Sequence, residues 1–202
     1  MKKLIFCISL VLLFSCNENK AEINSNPSNG HHSSEIISQT KKEVDPRTLV
    51  IPGKKLGNII LNENSTAVFD SLGKPDIGNA AMGKAISTWK NDNSGLLTLY
   101  TSTQMGVEDF SRIKAIRSLS KDFKTVDNLG VSSSIETLKK YYKLDPIGKF
   151  TENGKHYYLY TTPKGIAFEI GMNQKCNGVL LYSPGTDPEN FFTSMYQDFK
   201  KL

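Results

Sequence analysis

Cysteine and histidine are scarce in this chain, and their scarcity excludes several chemistries. Three cysteines occur in 202 residues, and two of them, Cys7 and Cys16, fall within the first sixteen. The body keeps Cys176 alone, so it has no intramolecular disulfide, no redox CxxC pair and no cysteine-built zinc site. A nucleophilic Cys176 would need a depressed pKa and a partner base. The histidines are His31, His32 and His156, and the first two sit in a polar stretch far from any patterned segment. A serine or cysteine triad needs a histidine beside its nucleophile, and His156 lies in His156-Tyr157-Tyr158-Leu159-Tyr160, which reads as a strand. Asp109, Asp122 and Asp127 have no spacing that fixes a metal, and Glu35, Glu43 and Asp45 belong to the polar stretch. The expectation is a non-catalytic protein with no metal and no cofactor. Charge is equally unpronounced: 25 basic against 20 acidic residues, in scattered pairs such as Lys54-Lys55 and Lys139-Lys140. No basic stripe interleaved with aromatics calls for nucleic acid.

A long apolar run is also missing. The one at the N-terminus, Leu4 to Phe14, follows Lys2-Lys3 and is too short to span a bilayer, which is the pattern of a signal peptide. Leu12-Leu13-Phe14-Ser15-Cys16 resembles the lipobox of bacterial lipoproteins, in which the cysteine receives the lipid and becomes the first mature residue. That resemblance implies export, lipidation of Cys16, and a place in the cell envelope, on the outer membrane. Removing Lys2 and Lys3 with the signal leaves 23 basic residues against 20 acidic, a net of +3.

Residues 78–85, GNAAMGKA, look like most of a phosphate-binding loop. The position after Lys84 should carry a magnesium-binding hydroxyl and carries Ala85 instead. Turn-like runs flank the stretch on both sides, Leu72 to Asp76 and Asn91 to Gly95, where a strand and a helix are required. An exported protein meets no nucleotide pool either. The stretch reads as a flexible connector with Lys84 in solvent, and no nucleotide is expected.

The segments divide as follows: 1–15 signal peptide, 16–48 lipidated Cys16 and tether, 49–126 and 127–202 two related halves. The tether is rich in Asn, Ser, Glu and Lys, and cannot bury enough apolar surface to offset its ordering entropy. As a coil of about 32 residues it reaches on the order of 30 Å. Each half offers a short helix and then three strand-like runs. The first has Thr66 to Leu72 ended by Gly73 and Pro75, then 85–89, 96–101 and 113–118. The second has Ile135 to Tyr142, opened by a capping box of Ser133 and Glu136 and stopped near Asp145-Pro146, then 156–161, 166–170 and 179–182. Val107, Phe110, Ile113, Ile116 and Leu119 also suit an amphipathic helix, and strand is preferred for Ile113–Ser118 because the repeat places one there. Pro188 with Phe192, Met195, Phe199 and Leu202 on one face reads as a closing helix. The predicted fold is α+β: two tandem helix-plus-three-strand antiparallel units with a C-terminal helix.

Ser65-Thr66-Ala67-Val68 through Leu72-Gly73-Lys74-Pro75, and later Leu129-Gly130-Val131-Ser132-Ser133, resemble motifs of small envelope lipoproteins. These are the relatives of the outer-membrane assembly lipoprotein and the tandem-repeat β-lactamase inhibitor protein. The likeness spans about Pro52 to Pro184 and implies a binding or scaffold module held to a membrane by its lipid and docked to an envelope protein. Trp89, Tyr100, Tyr157, Tyr158 and Tyr160 are the candidate binding residues, because Tyr and Trp on a bare sheet face suit a protein partner or, alternatively, a glycan. In the run 156–160, Tyr157 and Leu159 face one way, Tyr158 and Tyr160 the other. For lipidation, Cys16→Ser is expected to leave the protein unprocessed or to release it from membranes. Normal maturation and membrane fractionation of that variant would contradict the lipobox.

Overall fold

The structure, a computed structural model, describes residues 45–92, 95–196 and 198–202. The signal peptide, Cys16, and the tether as far as residue 44 lie outside the described residues. In chain order the elements are β1 (Leu49–Ile51), β2 (Lys55–Leu56), β3 (Ile59–Ile60), α1 (Thr66–Leu72), β4 (Ile77–Ala81), β5 (Lys84–Asn91), β6 (Gly95–Ser102) and β7 (Arg112–Ser118). Then follow β8 (Lys124–Thr125), α2 (Ile135–Tyr141), β9 (Asp145–Glu152), β10 (Lys155–Thr161), β11 (Ile166–Gly171), β12 (Cys176–Tyr182), α3 (Glu189–Met195) and β13 (Lys200–Lys201).

The strands do not form two three-stranded units, which corrects the α+β expectation. Nine of them make one antiparallel sheet in the order β13-β9-β10-β11-β12-β7-β6-β5-β4, and a small second sheet runs β3-β2-β1-β8. The fold is β-rich, with three seven-residue helices among the described residues. The seam is β7 against β12, where Leu180 faces Arg117 and Leu181 faces Ile116. It joins the meander β4 to β7 edge to edge with the meander β9 to β12, so no boundary interrupts the sheet.

Both faces of the sheet are covered, and this is why independent units fail to form. On one face Phe168, Ile170, Leu181, Ile116 and Leu99 pack with Leu138 of α2, Phe69 of α1 and Val50 and Leu56 of the small sheet. On the other, Leu159, Leu180, Tyr182 and Tyr100 pack under Phe191 and Phe192 of α3. Every residue of β11 is buried, as in strands enclosed on two sides.

Local chemistry accounts for the remaining differences. GNAAMGKA is a β-hairpin and not a flexible connector: Met82 and Gly83 take φ of 51° and 72°, the left-handed pair of a type I′ turn. β4 then pairs with β5 from Ile77–Thr88 to Ala81–Lys84. The cap of α2 is Ser134, one residue later than the box predicted, its Oγ accepting from the Thr137 N–H at 3.1 Å. Asp145-Pro146 opens β9. The closing helix ends at Met195, and the chain turns back as β13 on Lys149 and Gly148 of β9. The contested run 112–118 is a strand.

Leu138 is fully buried where α2 meets the sheet. Leu138→Ala is expected to destabilise the protein by about 2–5 kcal/mol in urea unfolding; a loss under about 1 kcal/mol would mean that α2 is not seated on this core.

Candidate functional site

The five candidate aromatics do not share a surface. Trp89 is 8% exposed, its Nε1–H donates to the Gly73 carbonyl at 2.9 Å, and its ring meets Phe69 edge-on at 5.1 Å. Tyr100 is buried on the opposite face against Phe191. Tyr157 is buried against Phe150, at 5.2 Å between rings, and Tyr160 is half-buried against the α2-side core. Tyr158 is half-buried and lines a cavity beside Lys149 and Lys200. The reason is the double cover of the sheet: the aromatics supply core area, and the helices take the faces assigned to a partner.

The structure shows instead an ion cluster that reaches across the seam. Arg117 of β7 is 3% exposed and Glu169 of β11 is fully buried. The Arg117 guanidinium donates through Nε to Glu169 Oε1 at 2.6 Å and through Nη2 to Oε2 at 2.9 Å. It also donates to Glu152 of β9, from Nη1 at 3.1 Å and Nη2 at 2.8 Å. The Tyr196 hydroxyl donates to Glu169 Oε1 at 2.7 Å, and its ring lies 4.9 Å below the guanidinium. Burial opposes the Arg117 charge most strongly, yet Glu169, Tyr196 and the hydrogen bonds together outweigh it and hold the pKa well above the usual value. Glycine at 178 makes room, because a Cβ there would fall 2.5 Å from Glu169 Oε2. Sequence reasoning missed this cluster, although a signal existed. Arg117 in Arg112–Ser118 and Glu169 in Ile166–Gly171 are charges inside apolar strand runs, and such charges are kept only when paired.

Arg117 and Glu152 line one cavity of about 540 Å³, walled by Ile77 and Asn79 of β4 and by Ser194 and Met195 of α3. The Thr88 and Thr98 hydroxyls, 2.9 Å apart, lie in its wall. The Arg117 charge is spent on two carboxylates, so the cluster presents no free cation to that space. Cys176 is a buried thiol, bonded to the Gly178 carbonyl at 3.2 Å and pushed far up by burial, the reverse of nucleophile chemistry.

What remains accessible is an edge. β4 is exposed along all five residues, carries no charge, and among the described residues has no strand on its outer side. Ile77 is 51% exposed and Met82, at the hairpin tip, 90%. The opposite edge is β13, two residues long and both lysine. Short, charged edges resist strand addition, whereas flat uncharged ones invite it.

The geometry defines a doubly covered antiparallel β protein with an open edge, and comparison with known proteins adds little to that class. No family model matches the chain, and no curated protein matches it. The chain is similar to a solved structure of an extracellular protein containing an SCP domain from Bacillus anthracis strain Ames, at 12% identity and a TM-score of 0.47. The alignment covers 82% of this chain and 55% of that protein, so the chain spans about half its length. At that level the likeness carries no argument about function.

The buried hydroxyls and thiol set an alkaline limit. Burial raises Tyr196 well above its ordinary value of 10.0 and Tyr182 to about 12, and it raises Cys176 above its ordinary 9.0. These groups stay protonated in the folded state while the unfolded chain loses its protons. Their contribution is therefore whole below pH 9 and declines as pH rises through 10 towards 12. Urea midpoints should fall steadily from pH 8.5 to 11, and Tyr196→Phe should flatten part of that decline. A midpoint constant across that range would contradict the burial of these groups.

Proposed function

We propose that the chain is an exported, lipid-anchored, non-catalytic binding module of the cell envelope, held on the outer membrane, which docks a protein partner along β4. The observation that carries this reading is the edge itself. A five-residue strand with no charge and, among the described residues, no neighbour on its outer side offers its outward backbone N–H and C=O groups to an extended segment. Strand addition draws affinity from those main-chain bonds and specificity from side-chain pockets beside them. Two such spaces flank β4 on one face: Ile77 and Asn79 wall the Arg117 cavity, and Asn79, Ala81 and Met82 line a second of about 350 Å³ with Lys84 and Tyr100.

The N-terminal pattern supports the location. A lipidated Cys16 followed by a polar tether of about 32 residues leaves on the order of 30 Å between membrane and body. That reach lets an edge strand meet a neighbour in the same membrane without constraint on orientation. The likeness of the 65–75 and 129–133 motifs to envelope lipoproteins implies the same class of role.

A photoreactive residue placed at Ala80 in the full lipidated chain should crosslink to an envelope protein in intact cells. Asn79→Lys, which puts a charge on the edge, should cut that crosslink at least tenfold while leaving the urea midpoint unchanged. Crosslinks of equal yield from Ala80 with and without Asn79→Lys, or none from β4 at all, would overturn the reading.

A further inference from the structure

A second region of the sheet carries a feature that the edge does not explain. The hairpins β9–β10 and β11–β12 end side by side, because β10 pairs with β11, and two cavities meet at their tips. One, of about 540 Å³, is lined by Lys121, Lys155 and Lys175 with Ser132, Asn173 and Asn177. The other, of about 520 Å³, is lined by Lys149, Lys200, Asp198, Thr151 and Tyr158. His156, Tyr157 and Met172 line both, so the two form one trough with a shared saddle. Each is of small-ligand size, within about 300–1,000 Å³.

The charge of this trough is uncompensated. Five lysines against one aspartate leave +4. Among the described residues the ion pairs use Arg47, Arg112, Arg117 and Lys201, and none of the five lysines. Lys149 and Lys200 are direct cross-strand partners in the β9–β13 register, a like-charge placement that costs stability in a sheet. In the Arg117 cavity on the same sheet the buried guanidinium is neutralised by two glutamates, and Lys90 is the one other cation that lines it. A concave site that keeps like charges unneutralised concentrates anions.

We infer that this trough binds a short acidic oligosaccharide, with anionic groups held by lysines on both sides of the saddle and hydroxyls on the neutral groups between them. Asn173, Asn177, Ser132, Thr151 and His156 supply those neutral donors and acceptors. His156 Nδ1 bonds the Thr151 hydroxyl at 3.0 Å, leaving Nε2 without a protein partner among the described residues. A stacking polymer such as nucleic acid fits less well, because Tyr157 and Phe150 are 8% and 2% exposed, which leaves half-buried Tyr158 as the one tyrosine or phenylalanine ring of the trough that reaches its surface. A lipid surface fits less well too, since Met172 is the one exposed large apolar residue in the trough. The inference stands apart from β4, which lies at an edge of the sheet formed by the other meander.

The test uses the full chain with Cys16→Ser, so that no lipid contributes to binding. Vesicle binding counts only where the lysine double variants abolish it, since an unprocessed chain keeps the apolar run Leu4 to Phe14. Calorimetric titrations with a galacturonic acid tetramer, its methyl ester, inorganic phosphate and phosphatidylglycerol vesicles separate the sources of negative charge. The tetramer should bind at least tenfold tighter than the ester or phosphate, and more weakly as salt rises. Lys155→Glu with Lys175→Glu should weaken it at least tenfold, and so should Lys149→Glu with Lys200→Glu. Lys139→Glu on α2 should leave affinity unchanged. These lysines are exposed or at a short edge, and unchanged urea midpoints would show that folding is intact. Equal affinity for tetramer and ester, indifference to both double variants, or binding to vesicles or phosphate without the tetramer would overturn the proposal.

Discussion

One guanidinium ties the sheet together. Arg117 stands on β7, at the seam between the two meanders, and its partners come from β11, β9 and the residue that follows α3. A buried arginine is tolerable only when its charge and donors are met, so the position of each partner is constrained by the others. A shift of one residue in the β7–β12 register would turn Arg117 to the opposite face, into Leu138 and Phe168, and leave Glu169 buried without a cation. Such a pair adds little net stability over an apolar one, but breaking it costs about 3–5 kcal/mol. That cost weighs against a slipped register. The same cluster pins Tyr196, and through it α3, over the second face of the sheet.

The covering of both faces follows from that arrangement and decides what surface is left for a partner. With α1, α2 and the small sheet on one side and α3 on the other, most of the sheet's aromatic residues are taken up by the core, Tyr158 being left half-buried. The accessible features are those the layers do not reach. These are the β4 edge, where the sheet ends without a cover, and the hairpin tips of β9 to β12, where lysines collect around two joined cavities. The first offers backbone hydrogen bonds and the second offers charge. On the reading proposed above, the first docks a protein neighbour and the second an acidic sugar chain.

Parts of this were legible in the residues. The alternation of Ile166, Phe168 and Ile170 marks a strand, and Gly73, with φ of 72°, ends α1 where the residue type suggests. The alternation does not mark exposure, because the intervening Ala167 and Glu169 are also fully buried, one because alanine packs under α3 and the other because Arg117 pairs with it. β4 was illegible because Gly, Asn and Ala have low strand propensity, and its pairing is set by the Met82-Gly83 turn and by β5. Phe192, Met195 and Phe199 do lie on one apolar surface, but the helix stops at Met195 and Phe199 reaches that surface from the loop before β13. The lysine trough was invisible because Lys121, Lys149, Lys155, Lys175 and Lys200 are scattered through 80 residues of sequence and meet only in the fold.

Residue-resolved hydrogen exchange tests the central claim most directly, that nine strands form one cooperative sheet clamped at Arg117. Amides of 113–118 and 179–182, on either side of the seam, should exchange only through global unfolding, with one shared free energy, while amides of 77–81 exchange fastest. Separate opening free energies for the two meanders, with the seam amides released before the strands on either side, would contradict the account.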